Sequence, residues 1–143
     1  MKLTLTSIKS LFQKKTKKED RPSAGLLTAE QAEQIQKSMD DFWTQTRPYL
    51  KHRYSLHDLS NETGVPIHRL SAFFNKEKKM NFNDFVNSWR IRYCLEFLQR
   101  SEIKKINLAE LSSLCGFNNR NSFSDAFKKF TGHNPSVYIK NLK

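Results

Sequence analysis

The sequence predicts an all-α protein of about seven helices, in which two helix–turn–helix subdomains are joined by a long linker helix. Three observations predict it. Apolar residues recur at three- and four-residue spacing through most of the chain, and no stretch reads convincingly as a strand. Residues that cap helices stand directly before these stretches, at Thr28, Ser55, Asn81 and Asn107. One pattern also occurs twice. Leu56, Leu59, Ser60 and Gly64 return 52 residues later as Leu108, Leu111, Ser112 and Gly116, while Phe74 and Phe85 return 53 residues later as Phe127 and Tyr138. Two copies of so long a period mark a duplicated module, because a solenoid needs at least three repeats to bury its faces.

The elements follow in order. Residues 1–27 form a basic flexible segment: Leu3, Ile8, Leu11 and Phe12 suggest a short amphipathic turn. The basic run Lys14–Lys18 and the linker-like Arg21–Gly25 follow. This segment is too short to bury a sensor pocket. Thr28 and Gln31 make a capping box for the first helix, whose inner face is Ala32, Ile35, Met39, Phe42, Trp43 and Thr46. Pro48 ends that helix near Arg47, and Tyr49 and Leu50 complete its apolar face. Ser55 caps a short helix that ends at Gly64. Pro66 opens the next, which runs to about Asn75.

Asn81, with Asp84 at the third helical position, starts a helix from Phe82 to Arg100. Its predicted buried stripe is Phe82, Phe85, Val86, Trp89, Tyr93 and Phe97, with Cys94 and Leu98 beside it. Asn107 and Glu110 open the following helix, Gly116 turns the chain, and a helix from about Asn119 to Phe130 ends at Gly132. Asn134-Pro135 begins a last short helix through Tyr138. The expected divisions are residues 28–80 for the first subdomain, 81–100 for the linker helix and 101–143 for the second subdomain.

Composition narrows the function. The 143 residues carry a net charge of +11, with a sequence pI near 9.8. Residues 54–143 hold fourteen Lys and Arg against eight acids, so the duplicated region is basic by itself. Such an excess suits nucleic acid or an anionic membrane surface. No apolar run approaches the roughly 18 residues of a membrane span, and the N-terminus lacks the apolar core of a signal peptide. A cytoplasmic protein is expected. Cys94 and Cys115 fall at apolar helical positions with no metal-ligand spacing, so buried thiols are expected and no metal or cofactor. His52, His57, His68 and His133 fall on separate elements, and no nucleophile–base arrangement or phosphate-binding glycine loop appears, which argues against an enzyme.

With these residues in view, the stretch from about 40 to 140 resembles the DNA-binding domain of the AraC/XylS family of bacterial transcription regulators. The most specific part is Leu111 to Tyr138: Gly116-Phe117, Ser122-Phe123-Ser124, Phe127-Lys128-Lys129, Thr131-Gly132, and Pro135 before Tyr138. Arg47-Pro48-Tyr49-Leu50, Met80, Phe82 and Phe85 add to it. The resemblance implies two recognition helices entering successive major-groove segments on one side of double-stranded DNA. The linker helix, about 28 Å at 1.5 Å per residue, is of the order of the roughly 34 Å between half-sites one turn apart.

On the first recognition helix Leu70, Phe73 and Phe74 should face the core. That leaves Ile67, His68, Ser71 and Ala72 toward bases, with Arg69 and Asn75 at the edges. On the second, Phe123, Ala126 and Phe127 should face inward, leaving Asn119, Arg120, Asn121, Ser124, Asp125 and Lys128 outward. An Arg fork suits guanine O6 and N7, an Asn suits adenine N6 and N7, and a carboxylate accepts from cytosine N4. Asp125 has a competing use as an ion-pair partner for Lys128 or Lys129. Phosphate contacts are expected from Arg69, Lys76, Lys78, Lys79, Arg90, Arg92, Lys128 and Lys129, with core pairing to an acid as the other use of Arg90. The family usually has Gly where this chain has Lys79, so Lys79 is either strained or in a differently shaped loop.

The expected function is a sequence-specific regulator bound to DNA as a monomer, with RNA polymerase as a further partner and no ligand-binding or receiver domain ahead of the helices. Two alternatives remain open: a basic helical adaptor for an acidic protein, and a membrane-associated output fragment held by its N-terminal basic run.

Overall fold

The computed structural model describes residues 27–100 and 106–142. The expected N-terminal turn and basic run, and the junction at 101–105, lie outside the described residues. Among these the chain is all-helical, with seven α-helices and no strand. They are α1 (Ala29–Thr46), α2 (Leu56–Thr63), α3 (Ile67–Ala72), α4 (Phe82–Arg100), α5 (Leu108–Leu114), α6 (Arg120–Thr131) and α7 (Pro135–Asn141). A single 3₁₀ turn, Pro48–Leu50, follows α1.

The caps form where the sequence places them. Thr28 Oγ1 accepts from Gln31 N–H while Gln31 Oε1 accepts from Thr28 N–H, each at 3.1 Å. Ser55 and Asp58 make the same reciprocal box for α2. Asn81 and Asn107 accept from Asp84 and Glu110 N–H at 2.8 Å. Each cap satisfies a backbone donor that the first helical turn leaves without a partner.

The chain divides into two compact units. Of the described residues, the first unit holds those up to Pro48 and Tyr54–Phe85, and the second holds Tyr49–Arg53 and those from Val86 onward. In the first unit Ile35, Met39, Phe42 and Trp43 of α1 are buried, as are Leu59, Leu70, Phe73 and Phe74. Rings make up much of this core. Trp43 lies 5.2 Å from Phe85 and 6.0 Å from Tyr54, and Phe74 lies 4.8 Å from Phe85 between centroids. Burial, with the charges of Glu62 and Asp58 nearby, pushes the Tyr54 phenol well above its usual range.

The second unit closes around Ile91, Cys94, Leu98, Leu111, Cys115, Phe117, Phe123 and Phe127. Both thiols are free and fully buried. A hydrogen bond with Cys115, and then burial, raise the Cys94 thiol far above the ordinary range, so it stays protonated. The sequence echo becomes one repeated ring contact: Phe74 meets Phe85 at 4.8 Å in the first unit, and their counterparts Phe127 and Tyr138 meet at 5.4 Å in the second.

Four local expectations are corrected. Thr46 is exposed and returns its hydroxyl to Phe42 O at 2.7 Å, while Ser38 is buried on the inner face of α1 instead. Helix α3 stops being α-helical at Ala72. Its last turn widens over Phe73–Glu77, where Lys78 N–H reaches Phe73 O five residues back at 3.2 Å. The buried line of α4 runs through Phe82, Val86, Arg90, Ile91, Cys94 and Leu98, with Phe85, Trp89, Tyr93 and Phe97 half-buried at its flanks. The aromatic residues suggested a stripe turned partly away from this line. Their size lets them pack from the side while smaller residues occupy the centre. Helix α7, expected to end at Tyr138, continues to Asn141.

Candidate nucleic-acid interface

Each unit contains a short helix, a turn through a left-handed glycine, and a second helix. Gly64 at φ 78° makes the turn between α2 and α3, and Gly116 at φ 93° the turn between α5 and α6. The turn at Gly116 is tightly enclosed. A methyl group on Gly116 would lie 2.6 Å from Tyr49 O and 3.0 Å from both Arg90 Nε and Leu50 Cα, so this turn admits only glycine.

Helix α6 is divided cleanly into two faces. Phe123, Ala126 and Phe127 are buried, and Phe123 meets Phe117 edge-on at 5.4 Å. Arg120, Asn121, Asp125 and Lys128 are exposed and Ser124 is half-buried. At 100° per residue these five span an arc of about 140°. Asn119 is the N-cap rather than a helical residue, and its Oδ1 accepts from Ser122 N–H at 2.8 Å. That commits its acceptor oxygen to the helix. The exposed arc pairs an Arg fork, an amide and a carboxylate near the helix N-terminus, groups of the kind that discriminate base edges in the major groove.

Helix α3 presents less. His68 is exposed and Ile67 and Ser71 are half-buried, with Asn75 exposed beyond them and its Nδ2 3.5 Å from Ser71 Oγ. Ala72, expected toward bases, is only 6% exposed, and Arg69, expected toward phosphate, only 8%. Both placements are corrected for one reason. In a six-residue helix embedded by Leu70, Phe73 and Phe74, Ala72 stands at the edge of the outer arc and Arg69 about 200° around from Ile67.

The basic residues also separate. Lys76, Lys79, Arg92, Lys128 and Lys129 are exposed and Lys78 is half-buried. Several lean on rings: Arg92 lies 5.0 Å from the Trp89 centroid, Lys78 5.7 Å from Phe73 and Lys129 5.9 Å from Phe130. Arg90 does not belong with them. It is buried, and its partners are amide oxygens rather than an acid: Nε donates to Tyr49 O at 2.7 Å, Nη2 to Lys51 O at 3.0 Å and Nη1 to Asn87 Oδ1 at 3.2 Å. Burial lowers its pKa. Sequence reasoning missed this use because the acceptors are backbone atoms of a segment some 40 residues away. Lys79 takes the strained option, with φ 54°. Among the described residues no group of three or more His, Cys, Asp or Glu is placed to hold a metal ion, and no helix is long and apolar enough to cross a membrane.

Seven helices among the described residues, with two such turns and a polar outer face on α6, define a tandem helix–turn–helix domain. The family model "Helix-turn-helix domain" matches residues 59–141. The chain belongs to this family, the AraC/XylS type of DNA-binding transcription regulators, which is not an enzyme class. It is 26% identical over 100 residues to the HTH-type transcriptional activator RhaR of Escherichia coli K12, and equally to that of Shigella flexneri serotype 5b. That match takes in 70% of this chain and 34% of RhaR, so the chain spans about a third of the length of these relatives. A Listeria innocua protein of unknown function shares the fold with a TM-score of 0.61 at 28% identity, over 75% of this chain and 95% of that one. The C-terminal domain of AraT, a response regulator from Geobacillus stearothermophilus, does so at 0.60 and 20% identity, over 75% and 84%.

Proposed function

We propose that this chain is a sequence-specific, double-stranded-DNA-binding transcription regulator that places α3 and α6 in successive major-groove segments. The observation that carries the reading is the division of α6 into a buried Phe123–Ala126–Phe127 face and an exposed Arg120, Asn121, Ser124, Asp125, Lys128 face. In this reading Arg120 and Asn121 read bases, and Asp125 accepts from cytosine or orients a neighbouring Lys. Lys76, Lys78, Lys79, Arg92, Lys128 and Lys129 hold phosphates. On α3, Ile67, His68 and Ser71 make a smaller and less polar reading surface, so the first unit anchors more than it discriminates. The protein acts in the cytoplasm on the nucleoid, bound as a monomer, by occluding a promoter or recruiting RNA polymerase.

The test is titration of random duplex and of a genomic promoter pool at several salt concentrations. Affinity should fall steeply with salt, and a subset of pool sequences should be enriched. Salt-independent binding, or a pool that emerges unenriched, refutes the reading.

A further inference from the structure

Arg90, itself buried, sits at the centre of a small network of contacts in the second unit that runs out to the surface. Its fork holds the carbonyls of Tyr49 and Lys51 and so ties down the short segment Tyr49–Arg53. The same segment is tied at its other end, where His52 Nε2 lies 3.0 Å from Ser113 O in the last turn of α5. Between these two ties runs the α5–α6 turn, with Gly116 pressed against Tyr49 O. The Arg90 guanidinium lies 5.3 Å from the Phe117 ring, and Phe117 packs on Phe123 in the first turn of α6. An unbroken series of contacts thus leads from Arg90 to the turn of helix that carries Arg120 and Asn121.

We infer that Arg90, with the Tyr49–Arg53 strap, is a positioning device for α6: it sets the pose from which that helix discriminates bases, without touching DNA. The inference rests on the DNA-reading function proposed above. Chemistry favours Arg for the task, since a planar fork holds two carbonyls at fixed separation and a Lys ammonium cannot reproduce that geometry. A guanidinium with its donors turned to amide oxygens inside the protein is also poorly placed to neutralise a phosphate.

The experiment compares wild type, Arg90→Lys and His52→Ala. It measures binding to an enriched duplex and a scrambled duplex across salt, and amide hydrogen exchange of residues 117–124 in the free proteins, all well below the unfolding midpoint. Arg90→Lys should reduce the ratio of enriched to scrambled affinity on the order of tenfold, as residues outside a contact surface do when they modulate recognition. Scrambled-duplex affinity and the salt slope should stay at wild-type values, and exchange across 117–124 should rise. His52→Ala, an exposed residue whose loss leaves the core intact, should move the ratio and exchange in the same direction by less. An unchanged ratio with unchanged exchange overturns the inference, whatever happens to the melting temperature. So does an equal loss on both duplexes without faster exchange, which would make Arg90 a charge contact. If wild type selects no sequence, the DNA-reading function fails, and exchange across 117–124 alone then decides whether Arg90 fixes the helix.

Discussion

Lys79 holds at φ 54° the left-handed backbone that Gly132 holds at φ 79° in the second copy of the repeat. A side chain in this region crowds the adjacent carbonyl, and glycine does not. Lys79→Gly should therefore raise the stability of the chain by about 1 kcal/mol in urea denaturation. The same substitution should weaken binding to every duplex alike and reduce the salt slope by about 0.9, the signature of one lost phosphate contact. Stability and affinity moving in opposite directions would mark Lys79 as a residue kept for its charge.

Gly116 and Gly132 share positive φ but not surroundings. A Cβ on Gly132 meets nothing within 4 Å, whereas on Gly116 it strikes backbone at 2.6 Å. Gly132→Ala should cost about 1 kcal/mol from backbone strain alone. Gly116→Ala should cost about 3 kcal/mol, because the Tyr49–Leu50 segment must also shift. Thermal denaturation of the two variants side by side tests the difference.

Arg120→Ala should relax specificity at one base position and cost about 1–3 kcal/mol on the preferred sequence, with Asn121→Ala comparable. His68→Ala should change selectivity less, since the arc on α3 offers fewer polar groups. Selection from a randomised duplex library with each variant reads this directly; equal effects from His68 and Arg120 would contradict the division of labour between the two helices.

Asn119 separates capping from recognition. Asn119→Ala removes the acceptor for Ser122 N–H and should lower stability by about 1 kcal/mol. Asn119→Asp keeps the cap and places a negative charge favourably at the helix N-terminus, so stability should return. If α6 enters the groove as proposed, affinity for all duplexes should nonetheless fall in the Asp variant, because it adds a negative charge at the DNA-facing end of that helix.

Tyr54 predicts an alkaline weakness. Its phenol is held above the usual range in the folded chain by burial and by Glu62 and Asp58. Below about pH 10 both folded and unfolded chains keep the proton and nothing changes. Above it the unfolded chain releases a proton that the folded chain retains, so stability falls as pH rises, by up to about 1.4 kcal/mol per pH unit for this one group. Tyr54→Phe should flatten the fall in denaturation curves between pH 9 and 11. An unchanged slope would mean that Tyr54 ionises as freely in the folded protein as outside it.

Most of the helical skeleton was legible because its signals are local. A capping box needs residues three apart, a glycine turn needs one residue, and the inner face of α6 needs only helical spacing between Phe123, Ala126 and Phe127. What was not legible depended on neighbours distant in sequence or on a departure from regular geometry. The widened turn at Phe73–Glu77, the burial of Ala72 and Arg69, and the side packing of the α4 aromatics each follow from how an element is embedded. Arg90 is the clearest case. As a residue type on a basic helix it reads as a phosphate contact, and only the arrival of Tyr49 O and Lys51 O beside it gives it another task.

By itself, then, the sequence determined the helices, their caps, the duplication and the polar face of α6, since each is set by interactions within a few residues or by simple periodicity. Tertiary structure alone decided which cations stay on the surface and which become internal supports. That choice depends on desolvation and on backbone acceptors brought together by folding, and neither is written in the identity of an arginine.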